Sequence, residues 1–457
     1  MRKYFGTDGI RGKANCYPLT ADFTLKLGQA VARTFKDNVK KHSIVVGKDT
    51  RISGYMFENA MVSGICSMGV NAILVGVLPT PAVALMAKSL RADAGIMISA
   101  SHNPYDDNGI KFFSSEGFKF SDDLELEIEK FLEDKSVHVS SQNIGKALRI
   151  ETAIWRYVEY VKTTFDRDID LKGLKIVLDC GNGASYKVAP LAISELGANI
   201  ILINNKPDGY NINKGCGAVH PEHMSETVVN CEADLGISFD GDGDRLIMAD
   251  ENGEIIDGDI IMGICAKHMK KNGALNHSTV VATVMTNIGL ELSLKKENIN
   301  IIRSAVGDRY VLDKMLKGGY NLGGEQSGHI IFLDYNTTGD ALISALQVLK
   351  VAKRCNKPLS ELKKDFALYP QILKNIFIAK KVPFDELVET NAKILDIREK
   401  LGSGGRVLVR YSGTENALRV MLEGEDQQII NEYADDIKCS VKDEINKSKG
   451  SCITSKE

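Results

Sequence analysis

The chain has 457 residues, 44% of them hydrophobic and 26% charged. This ordinary globular composition excludes global disorder and suits about three or four domains. With 57 Lys and Arg against 60 Asp and Glu, the net charge is −3. That balance gives no support for nucleic acid or an anionic membrane as a partner, so any anion site must be local. The best apolar run, residues 73–87, is broken by Gly76, Pro79, Thr80 and Pro81 and is shorter than the ~20 residues of a membrane span. The first residues carry no apolar leader-like core, and the nine Cys include no Cys-x-x-Cys pair. We therefore expect reduced thiols and a cytoplasmic protein.

Strand-like and helix-like segments alternate over about the first 365 residues. Residues 43–46 predict a buried strand, 54–68 a helix, 71–77 a strand, and 94–100 a strand that ends at a polar loop. Ser121 should cap an acidic helix running to about Asp134. The pattern restarts with a strand at 175–180, a helix to about Leu196 and a strand at 235–240. Strands at 278–284, 299–306 and 320–323 bracket further helices. This alternation predicts three α/β domains with mixed, largely parallel sheets, over 1–150, 151–252 and 253–367. The remainder, 368–457, differs. Strands at 375–380, 406–411 and 418–423 alternate with helices at about 385–401 and 426–447, as in an α+β domain with an antiparallel sheet.

Four loops carry candidate chemistry. In Ser99-Ala100-Ser101-His102-Asn103-Pro104 a hydroxyl lies just past a buried strand, where α/β sheets place ligands, with Lys111 close behind. A serine beside His and Lys suits a nucleophile for acyl or phosphoryl transfer; an ordinary Ser/Asn/Pro turn is the simpler reading. In Asp240-Gly241-Asp242-Gly243-Asp244-Arg245, three carboxylates within five residues would repel one another unless a cation joins them. The glycines let all three face one point, and oxygen-only ligands suit Mg²⁺. A calcium EF-hand fits poorly, because Arg245 stands where that loop needs Gly. In Gly323-Gly324-Glu325-Gln326-Ser327-Gly328-His329, small residues allow close approach, and Glu325, Gln326 and Ser327 supply acceptors and donors suited to sugar hydroxyls, although a hairpin turn is an equal reading. In Arg410-Tyr411-Ser412-Gly413-Thr414-Glu415, with Arg419 following, two guanidinium groups and an open backbone suit a phosphate dianion. Singly each could be a turn. Together they describe one site for a phosphosugar.

With the opening Phe5-Gly6-Thr7-Asp8-Gly9-Ile10-Arg11-Gly12, these loops resemble the α-D-phosphohexomutase superfamily over nearly the whole chain, to about residue 440. Gln326, where phosphomannomutase and phosphoglucomutase relatives typically carry Met, resembles the bacterial branch acting on glucosamine phosphates. The resemblance implies four domains around a central cleft. It makes Ser101 a phosphoserine whose phosphate completes a Mg²⁺ shell with Asp240, Asp242 and Asp244. Glu325 and Ser327 would hold sugar hydroxyls. Arg410, Ser412, Gly413, Thr414 and Arg419 would hold the non-reacting phosphate. Arg11, Lys111 and Arg245 would flank the reacting centre, with His329 and Asp308 as candidates for proton transfer.

The activity implied is interconversion of glucosamine 6-phosphate and glucosamine 1-phosphate through a 1,6-bisphosphate that also serves as activator. This would feed UDP-N-acetylglucosamine and peptidoglycan precursors, with a homodimer as the expected assembly. Action on mannose or glucose phosphates is the nearest alternative. A haloacid-dehalogenase-type phosphatase with Asp240 as nucleophile leaves the other three loops unexplained. One departure stands out: Tyr411 and Asn416 replace the two prolines usual around the phosphate loop, which removes two backbone constraints.

Overall fold

The computed structural model describes residues 2–36, 41–134, 139–378, 381–411 and 416–447. Packing divides the chain into two compact units, Met1–Met285 with Glu297–Asp365, and Thr286–Lys296 with Phe366–Glu457.

The first unit contains three mixed sheets. In the largest, the order is Ile10–Lys13, Asp107–Ser114, Ala94–Ile98, Ser43–Lys48, Asn71–Val77, Ala147–Arg149. The last four run parallel, while Asp107–Ser114 is antiparallel to both its neighbours. The second sheet runs Ile255–Ile256, Leu246–Ala249, Leu235–Phe239, Lys175–Asp179, Asn199–Ile203, with the last three parallel. The third runs Asn300–Ser304, Thr279–Thr283, Leu322–Gly324, Ile330–Phe332, parallel except for its final pair. The parallel centres are apolar on both faces, as Ile44-Val45-Val46, Ile176-Val177-Leu178 and Val280-Val281-Ala282 are all buried.

This topology positions the loops. Ala94–Ile98, Leu235–Phe239 and Leu322–Gly324 each pair in parallel with a neighbour, and each leads from its carboxyl end into one of the first three candidate loops. That end of an open α/β sheet is where ligands bind. Lys111 returns to the first loop because Asp107–Ser114 folds back along Ala94–Ile98, with Lys111 opposite Met97.

Helices Ala21–Phe35 and Ile52–Ser67 cover the first sheet and touch through glycine. A Cβ on Gly64 would stand 2.2 Å from the Leu25 carbonyl oxygen, and one on Gly28 would stand 2.5 Å from that of Met61. Gly64→Ala must part the helices, at about 1–3 kcal/mol. We expect a lower thermal unfolding midpoint; an unchanged one would show that the helices part freely.

The second unit is α+β. Its sheet, Gln371–Phe377, Ala417–Glu423, Arg406–Tyr411, is wholly antiparallel with Ala417–Glu423 central. Helices Val388–Leu401 and Gln427–Lys447 bury Ile394, Ile397, Ile437 and Val441 against Leu418, Val420 and Leu422. The first strand, expected at 375–380, begins earlier, at Gln371, directly after Pro370. Residues 379–380 lie outside the described ones, as do Ser412, Gly413, Thr414 and Glu415 of the phosphate loop.

Candidate active site

Ser101 has φ +54°, a left-handed backbone that a non-glycine residue adopts only when its surroundings hold it there. Its N–H donates to Ser99 Oγ at 2.9 Å, and Ser99 Oγ donates to Asp49 at 2.6 Å. Ser99 is thereby committed to the scaffold. Ser101 Oγ is directed across to the second sheet, where it donates to Asp240 Oδ2 at 2.7 Å.

Asp240, Asp242 and Asp244 are all buried and present oxygens within 4.8 Å of one another. The loop between them is fixed by N–H groups from three places in the chain. Ala184 donates to the Gly241 carbonyl at 2.8 Å, Thr80 to that of Asp242 at 2.8 Å, and Ala341 to that of Gly243 at 3.1 Å. Thr80 and Ala341 open the helices Thr80–Ser89 and Ala341–Cys355, whose positive ends favour the loop's negative charge. Burial and the charges of Asp244 and Asp242 push the Asp240 pKa well above the carboxylate range. Burial also raises Asp244, but Lys111, His329 and Arg245 outweigh it and hold that pKa well below the range.

Two buried atoms, Asp242 Oδ1 and Asp244 Oδ1, have no hydrogen-bond partner. Leaving a buried carboxylate oxygen unmet is costly, and a cation at this point would satisfy both. The donors are all hard oxygens. The triad can therefore hold a metal ion and fits Mg²⁺ in kind.

Lys111 is buried with its ammonium 2.7 Å from Asp242, 3.2 Å from Asp244 and 3.4 Å from Asp8. Burial lowers its pKa, but those carboxylates prevail and raise it well above the lysine range. These partners favour its charged form. The charges continue in alternation. Asp8 pairs with Arg11 and Lys119, Lys119 pairs with Asp308, and Asp308 lies 3.3 Å from His329 Nε2. His329 Nδ1 lies 3.7 Å from Asp244. Burial depresses the His329 pKa, yet Asp244 and Asp308 raise it above the usual value.

These groups surround a cavity of about 360 Å³ lined by Ser101, Arg11, Arg245, Asp308, Glu325 and His329, among others. Arg245 Nε is buried there without a hydrogen-bond acceptor. Glu325 is held by the Gly307 N–H at 2.9 Å, and Ser327 Oγ lies 3.5 Å from its other oxygen. In the second unit, Arg410 and Arg419 face each other across the strand pair. Burial and the like charge of Arg419 lower the Arg410 pKa.

Of the residues expected from sequence, Ser101, Lys111, Arg11, the three Asp, Arg245, Asp308, Glu325 and His329 thus meet in one place, with Ser327 at its edge. Arg410 and Arg419 form their own cationic pair. Sequence reading missed Asp8, Lys119, Thr80, Asp49, Arg51 and Asn213. Asp8 lies in the quoted opening motif and so was the most accessible of these.

Gly339 supplies a test. A Cβ there would stand 2.6 Å from the His329 ring. Gly339→Ala should displace the imidazole and lower kcat about 100-fold. Steady-state kinetics with a normal kcat would remove His329 from the reaction.

Family models of phosphoglucomutase/phosphomannomutase match in four pieces: domain I over residues 2–138, domain II over 155–253, domain III over 257–369 and the C-terminal domain over 359–439. The chain belongs to this family of phosphohexomutases, and within it to the phosphoglucosamine mutases. The phosphoglucosamine mutase of Citrifermentans bemidjiense is 55% identical over 440 residues, 96% of this chain and 97% of that one. That of Geotalea uraniireducens is 53% identical over 452 residues, 98% of this chain and 100% of that one. Among solved structures, a phosphoglucomutase/phosphomannomutase family protein from Burkholderia thailandensis superposes with a TM-score of 0.80 at 24% identity, covering 96% of this chain and 97% of its own. An Aspergillus fumigatus N-acetylphosphoglucosamine mutase, solved with GlcNAc-6P and magnesium, gives 0.67 at 17% identity, covering 97% and 96%. These likenesses establish the fold. Among the described residues no helix is long and apolar enough to cross a membrane.

Proposed function

We propose that the protein interconverts glucosamine 6-phosphate and glucosamine 1-phosphate, with Ser101 as the residue that carries the phosphoryl group. The observation that carries this reading is the Ser101 hydroxyl, aimed at Asp240 and lining a cavity that also presents Arg11, Arg245 and Glu325. Phosphorylated Ser101 gives its phosphoryl group to O1 of the 6-phosphate. The P–Oγ bond breaks as the O1–P bond forms, O1 loses its proton, and the serine oxygen regains one. His329 and Asp308 are the candidates to move that proton. The bisphosphate turns over, and its 6-phosphoryl group returns to Ser101. Throughout, Lys111, Arg11 and Arg245 offset charge on the transferring group.

Asp240, Asp242 and Asp244, with an oxygen of the phosphoserine, would hold Mg²⁺, which when bound offsets negative charge on the phosphoryl oxygens. Glu325 and Ser327 hold sugar hydroxyls. Arg410, Ser412, Gly413, Thr414 and Arg419 hold the phosphate that is not reacting, a role supported by the facing guanidinium groups. The product feeds UDP-N-acetylglucosamine and cell-wall precursor synthesis in the cytoplasm, and a homodimer is the assembly we favour.

A phosphatase using Asp240 is disfavoured by its bonding. Oδ1 accepts the N–H groups of Asp244 and Arg245 at 3.1 Å each, and Oδ2 accepts Ser101, so the carboxylate is engaged behind the serine. Turnover on the 6-phosphates of glucosamine, glucose and mannose tests the substrate. We expect glucosamine 6-phosphate to lead; equal or faster turnover of mannose 6-phosphate would contradict the reading.

A further inference from the structure

The Ser101 backbone is strained, and something must hold it. Arg51, at the start of helix Ile52–Ser67, is 0% exposed, and its guanidinium meets five acceptors. Nε donates to Asp49 at 2.8 Å. Nη1 donates to the carbonyls of Pro104 and Asp107. Nη2 donates to the carbonyls of Ser101 at 2.9 Å and Asn103 at 2.8 Å. Arginine has five N–H donors in a rigid fork, and all five are used here. Asn213 arrives from the loop beyond strand Asn199–Ile203 of the second sheet. Its Nδ2 donates to the same two carbonyls, Ser101 at 2.9 Å and Asn103 at 3.1 Å. Two donors from separate sheets thus bridge the same pair of acceptors. The loop that carries the hydroxyl is fixed both to its own sheet and to the sheet that carries the metal loop.

The geometry points to Arg51 and Asn213 as positioning residues that hold the Ser101 carbonyl so that Oγ stays aimed at Asp240. This inference rests on the proposal that Ser101 carries the phosphoryl group. Neither side chain reaches the sugar site, so their loss should act on phosphoryl transfer and spare substrate affinity. A small misplacement of a reacting atom has a large effect on rate and little on binding.

The test uses the full-length enzyme charged with ³²P on Ser101 and mixed with glucosamine 6-phosphate in a single turnover. Asn213→Ala is the main variant, since it removes one bridging donor without stranding a charge. Arg51→Lys is the second, because a single ammonium cannot reproduce the fork. We expect transfer about 10–100-fold slower in Asn213→Ala, with glucosamine 6-phosphate affinity within threefold and the thermal midpoint within a few degrees of wild type. The ³¹P resonance of the phosphoserine should broaden or split as the loop loses its single conformation. Wild-type transfer rates in Asn213→Ala, or in a folded Arg51→Lys, would overturn the inference. So would a rate loss matched by an equal loss of affinity or by a collapse of the thermal midpoint. If the wild type takes no label on Ser101, the reading of the site itself fails and this inference with it; a labelled wild type with unaffected variants refutes the positioning role alone.

Discussion

Ser101→Ala is expected to lose mutase turnover by more than about 10⁴-fold, the scale of removing an enzyme's nucleophile, and to lose all bound phosphate. Folding should be nearly unaffected. The backbone contacts that hold residue 101 come from its N–H and carbonyl, which alanine keeps. Asp240 loses one donor but retains the N–H groups of Asp244 and Arg245. Ser99→Ala gives the contrasting result. Its hydroxyl links Asp49 to the Ser101 N–H, so its loss should weaken the loop and leave the phosphate on residue 101. Peptide mapping of the labelled enzyme decides between them. Phosphate on Ser99 with an active Ser101→Ala would reverse the assignment.

Asp242→Asn should lower activity about 100- to 1,000-fold, the effect of losing one preorganised charge at a reacting centre. The amide oxygen can still accept from Thr80 and Lys111, which now bond Oδ2. The change falls on Oδ1, the buried oxygen with no partner. Without metal the variant's stability should change little, because relief of crowding among three carboxylates is offset by loss of the nearest counter-charge of the buried Lys111. The rise in thermal midpoint on adding Mg²⁺ should shrink, since that rise measures binding to the folded state. Calorimetric titration with Mg²⁺ gives the same answer independently of activity. Unchanged binding and unchanged turnover would remove Asp242 from the metal site.

The clustering of Asp240, Asp242 and Asp244 into a group that could hold a metal was legible because its information is local. Three carboxylates separated by single glycines, following an apolar run, permit few arrangements, and the structure buries all three. Ser101 was legible for a similar reason, as a hydroxyl at the end of the buried strand Ala94–Ile98. What holds these groups was not legible. Asn213 meets Ser101 across 112 positions, Lys119 meets Asp308 across 189, and Thr80 meets Asp242 across 162. Such pairs are decided by which sheets lie side by side, and no spacing along the chain encodes that. The strands Ile10–Lys13 and Asp107–Ser114 were missed because they are short or interrupted by Gly and Asn, and Ile10–Lys13 finds its partner only about a hundred residues further along the chain. Arg410 and Arg419 are an intermediate case. Their pairing follows once the two strands are known to be antiparallel neighbours, which places like charges opposite each other.

Transfer of label from the enzyme to the sugar tests the central claim most directly. Enzyme carrying ³²P on Ser101 is mixed with one equivalent of glucosamine 6-phosphate and Mg²⁺, quenched within a turnover and resolved into protein, bisphosphate, monophosphate and inorganic phosphate. Label should leave the Ser101 peptide and appear first in glucosamine 1,6-bisphosphate, and the protein-bound fraction should resist hydroxylamine, as a phosphate ester does and an acyl phosphate does not. Label released directly as inorganic phosphate, or removed from the protein by hydroxylamine, would contradict the account and return the chemistry to Asp240.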